Sequence, residues 1–113
     1  MTKGQVKYKV TMTPGAESDL EAIYDYIGEF DCPQNADHVL DQLMKVVESL
    51  AQWPERGNYP RELAWLGIKE FRQVTFKPYR VIYRILDKQV VIYVVADGRR
   101  DMQTVLENRL LTG

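Results

Sequence analysis

The chain has 113 residues, a net charge of −1 and one cysteine, Cys32. That length suits one domain with a modest core, and a lone cysteine excludes an internal disulfide. The longest strongly apolar run, Val90 to Ala96, is far too short to cross a bilayer, and Met1-Thr2-Lys3-Gly4-Gln5 carries no apolar signal core, so a cytoplasmic protein is expected.

The near-neutral total conceals an asymmetry. Residues 1–55 hold 4 Lys/Arg against 10 Asp/Glu, a balance of −6, whereas residues 56–113 hold 11 against 6, a balance of +5. An acidic helical half and a basic sheet half follow if the elements segregate, and a basic surface suits nucleic acid or an acidic protein. The plainer reading is that folding mixes the charges over the surface.

Val6, Tyr8, Val10 and Met12 alternate with Lys7, Lys9 and Thr11, the period of a half-buried strand over Val6–Met12. Thr13-Pro14 then supplies an N-cap and a first helical residue with no N–H to lose. Ala16, Leu20, Ile23, Ile27 and Phe30 recur at helical steps, which predicts a helix over Pro14–Phe30 with one buried stripe. Glu17, Asp19 and Glu21 read as a solvated, dipole-favoured helix start.

Asp31-Cys32-Pro33 breaks this helix, and Pro33 starts a second with Ala36, Val39, Leu40, Leu43, Val46, Val47 and Leu50 inward. So short a connection predicts an antiparallel helical hairpin, ended by Pro54. Trp53 to Pro60 is loop, and Glu62–Gly67 is expected to hold a short helical turn. Phe71–Phe76, Tyr79–Leu86 and Val90–Ala96 are rich in β-branched and aromatic residues and form an antiparallel meander through short turns. A final helix, Asp101–Leu111, is capped by Asp101. The order β-α-α-β-β-β-α predicts a two-layer α+β fold, the hairpin burying its stripe on the sheet.

Alternation in the middle strand puts Val81, Tyr83 and Ile85 on one face and Arg80, Ile82, Arg84 and Leu86 on the other. With the first set against the helices, Arg80 and Arg84 project outward, Arg99 and Arg100 leave the last strand nearby, and Lys77 sits at the adjacent turn. Guanidiniums gathered in this way hold phosphates through forked hydrogen bonds. Charged residues are also ordinary on an open sheet face, where Asp87, Asp97 and Asp101 would pair with them.

The string Glu70-Phe71-Arg72-Gln73-Val74-Thr75-Phe76-Lys77-Pro78-Tyr79-Arg80-Val81-Ile82-Tyr83-Arg84-Ile85 resembles the central strands of ParE/RelE-family toxins of type II toxin–antitoxin systems. Asp97-Gly98-Arg99-Arg100-Asp101, the ending Arg109-Leu110-Leu111, the early Tyr8-Lys9-Val10 strand, the Ala16 to Ile27 helix and the Leu50…Trp53-Pro54…Gly57 break are similar too. The resemblance covers nearly the whole chain.

Two functions of different class follow from the resemblance. RelE-like members resemble ribosome-dependent mRNA endonucleases, and Arg72, Arg80 and Arg100 fall where such an enzyme has its cations. Leu106 stands where the RelE pattern has a tyrosine, and Val74 stands where it has a second basic residue. Neither can move a proton or stabilise charge. ParE-like members resemble inhibitors that bind DNA gyrase, are neutralised by a ParD-type antitoxin and need no catalytic base. The Asp97 to Asp101 string and the terminal Arg-Leu-Leu look closer to this branch, with Lys77, Arg80, Arg84, Arg99 and Arg100 expected at the target. The resemblance also implies a toxin–antitoxin hetero-oligomer, with the antitoxin received by Tyr24, Tyr26, Trp65, Leu66, Leu110 and Leu111; the alternative for each of these residues is core packing. Asp37, His38 and Asp41 do not complete a metal-ligand set, and no metal or cofactor is expected.

Overall fold

The computed structural model describes residues 7–111. Four strands form one sheet in the order β1-β4-β3-β2: β1 (Lys9–Met12), β2 (Phe71–Phe76), β3 (Tyr79–Leu86) and β4 (Gln89–Asp97). The last three are the expected antiparallel meander, and β1 joins β4 in parallel. The first strand starts later than its alternation suggests. The Tyr8 N–H turns to the Ala51 carbonyl, 2.7 Å away, instead of entering the ladder. Val6 lies outside the described residues.

The helices α1 (Pro14–Phe30) and α2 (Pro33–Ser49) form the hairpin. The Thr13 hydroxyl accepts the Ala16 N–H at 3.1 Å, so the anticipated cap is in place. Ala16, Leu20, Leu43, Val47 and Leu50 pack against Val74, Val81, Tyr83, Val90, Ile92 and Val95 of the sheet. Each Leu, Ile or Val among them contributes about 1.5–3 kcal/mol on burial. Phe30 departs from the predicted stripe. It is 67% exposed at the end of α1 and stacks on Tyr26 with ring centroids 4.7 Å apart.

The opposite sheet face is covered as well, contrary to the open face that strand alternation suggests. The four-residue helix α3 (Arg61–Ala64) and the C-terminal helix α4 (Met102–Leu106) lie over it. Leu63, Met102 and Leu106 form a second core with Phe71, Ile82, Val94 and Ala96. Asp101 caps α4 by accepting the Thr104 N–H at 3.2 Å. A π-helical turn, Glu107–Leu111, continues the chain beyond it.

Register shifts between Ile82 and Tyr83, whose partners on β4 are Val94 and Ile92. The residue left over, Tyr93, packs on the second core together with its neighbour Val94. Such a bulge interrupts strict alternation. Past the end of β1, the Val95 N–H is taken by the Asp19 carboxylate at 2.9 Å. Asp19 is therefore an anchor between α1 and β4, not part of a solvated helix start.

The loop after α2 is held from below by Tyr83. This tyrosine is fully buried, and burial raises its hydroxyl above the ordinary value. The hydroxyl donates to the Pro54 carbonyl at 2.5 Å and accepts the Gly57 N–H at 3.1 Å. An unsatisfied hydroxyl there would cost about 1–3 kcal/mol.

Candidate functional site

Arg80 is not turned outward. Its side chain is 14% exposed, as is that of Glu62 on α3, and the two form a forked ion pair at 2.9 and 2.8 Å. The Gln73 side-chain oxygen accepts from the Arg80 Nε at 2.8 Å. Gly98 lies beside the stem of Arg80: a Cβ at Gly98 would meet the Arg80 Cδ at 2.8 Å. The partner is not Asp87, Asp97 or Asp101, because Arg80 lies on the face that α3 covers and Glu62 is brought in from above. The hydrogen bonds from Arg80 hold the Glu62 carboxyl below its ordinary range.

Arg72 is engaged elsewhere. Its guanidinium donates to the Gly57 carbonyl at 2.9 Å and lies over the Tyr59 ring, 4.8 Å from the centroid. Along β2, Phe71 belongs to the second core and Val74 to the first. Alternation therefore places Arg72 on the helical-hairpin face and Arg80 on the other. Of the three cations assigned to a nuclease, Arg72 and Arg80 are separated by the sheet, and Arg100 is exposed beyond β4. Val74 and Leu106 are both buried.

The remaining cations are more open. Lys77 is exposed at the β2–β3 turn, and Arg100 at the β4–α4 turn. Arg99 is 78% exposed and forms a fork with Asp97 at 2.9 and 2.6 Å, which lowers the Asp97 carboxyl. Arg84 is half-buried over the Phe71 ring, 5.8 Å from its centroid. Arg84 and Arg80 extend the expected group across a covered face, so only Lys77, Arg99 and Arg100 share an edge with α1.

Two adjoining cavities lie along that edge, of roughly 440 and 530 Å³. Tyr26, Ile27, Tyr79 and Arg99 line both. The first continues to Asp19 and Arg100, the second to Phe30, His38 and Lys77. Sequence reading did not select Phe30 as a surface residue, since it fits the apolar stripe of its helix. The one available signal was that Phe30 falls at the last position of its helix.

The apolar residues expected at a partner surface divide into two groups. Tyr26 is 64% exposed, Trp65 75%, Leu66 51% and Leu111 40%. Leu110 is half-buried against the second core. Tyr24 is half-buried and donates its hydroxyl to Asp37 at 2.6 Å, tying α1 to α2; that hydrogen bond raises the pKa of the hydroxyl above its ordinary value.

A helical hairpin on one face of a four-stranded sheet, with two short helices on the other, is the architecture of small toxins of the ParE/RelE type. The chain belongs to the ParE toxin family of type II toxin–antitoxin systems, whose profile matches residues 10–103. It is 36% identical over 92 residues to Toxin RelE2 of Caulobacter vibrioides, covering 81% of this chain and 97% of that protein. The fold is similar to that of the chromosomal ParDE toxin–antitoxin system from P. aeruginosa, with a TM-score of 0.68, 22% identity, and coverage of 80% of this chain and 96% of that one. It is also similar to the RelBE2 toxin–antitoxin complex of Mycobacterium tuberculosis, with a TM-score of 0.60, 26% identity, and coverage of 81% and 92%. Among the described residues, no helix is long and apolar enough to cross a membrane.

Proposed function

We propose that this toxin acts in the cytoplasm by binding DNA gyrase and inhibiting it, and that a cognate ParD-type antitoxin neutralises it in a hetero-oligomer. The observation that carries this reading is the separation of Arg72 from Arg80. A phosphoryl-transfer site needs cations converging on one phosphate and a group that moves a proton. Here the two guanidiniums stand on opposite faces, each already paired, and apolar Val74 and Leu106 occupy the positions where the nuclease pattern has a basic residue and a tyrosine. Inhibition by binding requires none of these groups.

Lys77, Arg99 and Arg100 supply an exposed cationic rim for the target. Tyr26, Trp65, Leu66 and Leu111 supply exposed apolar anchors for the antitoxin. Neutralising segments of this kind order on binding and cover a wide surface. The relatives of this fold described as ParDE and RelBE2 pairs support such a partner.

Supercoiling by purified gyrase is expected to fall when micromolar toxin is added and to recover with antitoxin. Unchanged supercoiling would overturn the reading. Message cleaved on translating ribosomes, with cleavage lost in Arg80→Ala, would replace it with the endonuclease.

A further inference from the structure

We propose that Arg80 is an oxyanion-binding group held shut in cis by Glu62, so that phosphate-type ligands reach it only when α3 lifts. The fork that Glu62 makes on Arg80, at 2.9 and 2.8 Å, is the geometry with which a guanidinium takes two oxygens of a phosphate. Glu62 thus fills the place of a ligand. Gln73 accepts from the Arg80 Nε and also from Nη2, so one nitrogen of the fork stays held along that edge when the carboxylate leaves. Gly98 has no Cβ to push the Arg80 stem aside.

The blocking group sits on the shortest α-helix among the described residues. Arg61–Ala64 is a single turn, entered from Pro60 and left through Gly67, whose φ of +79 suits glycine. Inward, it is held by Leu63 in the second core and by one long hydrogen bond from Gln103 to the Glu62 carbonyl, at 3.3 Å. Outward, it shows Trp65 and Leu66 to solvent.

The energetics favour exchange over simple opening. With Glu62 gone, Arg80 would keep a charge and two unpaired donors in a largely dry setting, a costly state. An incoming oxyanion relieves that cost, whereas water at a site this enclosed relieves it only in part. The lock is independent of the gyrase reading: it concerns what Arg80 can bind, whichever target the toxin has.

The test measures binding of inorganic phosphate, and of a dinucleotide without a terminal phosphate, by isothermal titration. The proteins are the full chain, Glu62→Ala, Glu62→Gln and the double variant Glu62→Ala/Arg80→Met, each checked for folding by circular dichroism. Phosphate affinity is expected to rise about tenfold or more in Glu62→Ala, the scale of a charge-assisted fork, and to fall back in the double variant. Glu62→Gln keeps the shape of the side chain without its charge and is expected to gain in the same direction; it decides the matter if the alanine variant does not fold. A gain with both ligands assigns the site to a backbone phosphodiester, and a gain with phosphate alone assigns it to free phosphate. No gain in a folded Glu62 variant, or a gain that survives Arg80→Met, overturns the proposal.

Discussion

Arg109, in the last described turn, reaches across 90 positions to Asp19 of α1 through two parallel hydrogen bonds of 3.0 Å. The same guanidinium donates to the Tyr93 carbonyl at the bulge, and Asp19 also accepts the Val95 N–H. One ion pair therefore joins α1, the irregular stretch of β4 and the C-terminal turn.

Asp19→Ala is expected to destabilise the fold more than Arg109→Ala. The first leaves the Val95 N–H unsatisfied, at about 2–3 kcal/mol, whereas the second removes a partly exposed pair worth about 1 kcal/mol. Urea denaturation of both variants and of the double variant would check this. Strong coupling between the two positions is expected, and equal single-variant costs would contradict the ordering.

Gly57 has no room for a side chain. A Cβ there would meet the Gln73 carbonyl oxygen at 2.5 Å and the Tyr83 hydroxyl at 2.6 Å. Backbone on one side and a buried tyrosine on the other leave little scope for adjustment, so Gly57→Ala should cost about 2–4 kcal/mol. Tyr83→Phe keeps the ring but orphans the Pro54 carbonyl and the Gly57 N–H, at about 1–3 kcal/mol. Thermal melts of the two variants test the ordering.

Acid should weaken the fold partly through Glu62. The hydrogen bonds from Arg80 depress its carboxyl below the ordinary value of 4.5, against the opposing effect of burial. A depressed folded value means that the stabilisation is fully present above the unfolded value and is lost as pH falls through the folded one. Stability of the parent chain should therefore drop below about pH 4.5 more steeply than that of Glu62→Gln. Asp97 and Asp101, also depressed, remain in both proteins and cancel in the comparison. Parallel denaturation curves at each pH provide the measurement, and identical slopes would remove Glu62 as a source.

Target and antitoxin surfaces should separate by substitution. Arg100→Glu changes an exposed residue and is expected to leave stability within about 0.5 kcal/mol while reducing gyrase inhibition about tenfold or more. Trp65→Ser should weaken antitoxin binding by about 2 kcal/mol without loss of inhibition. Inhibition assays and titration with the antitoxin would show whether the two losses dissociate.

The extent to which the architecture was legible differs from element to element. Thr13 and Asp101 were readable as caps because a cap acts over three residues, and both make the expected bond. The boundaries of α1 and of β2 and β3 coincide with their periodic runs. The candidate site was less legible. Arg80 was visible as a chemically important residue, but its pairing with Glu62 was not, since a four-residue helix has no period by which its facing can be read. Phe30 and Tyr24 show the same limit, as helical spacing cannot tell a stripe's last residue from an exposed one or foresee the Asp37 partner.

The order of local letters determined the helical hairpin, the meander and the caps, because helix and strand periods and capping bonds involve residues only a few positions apart. Tertiary structure alone decided that both sheet faces were covered, which carboxylate met which guanidinium, and where alternation broke at Tyr93. Those outcomes depend on groups as distant as Asp19 and Arg109 arriving together. Burial then requires each polar group to find a partner, and only the packed chain shows which partners are within reach.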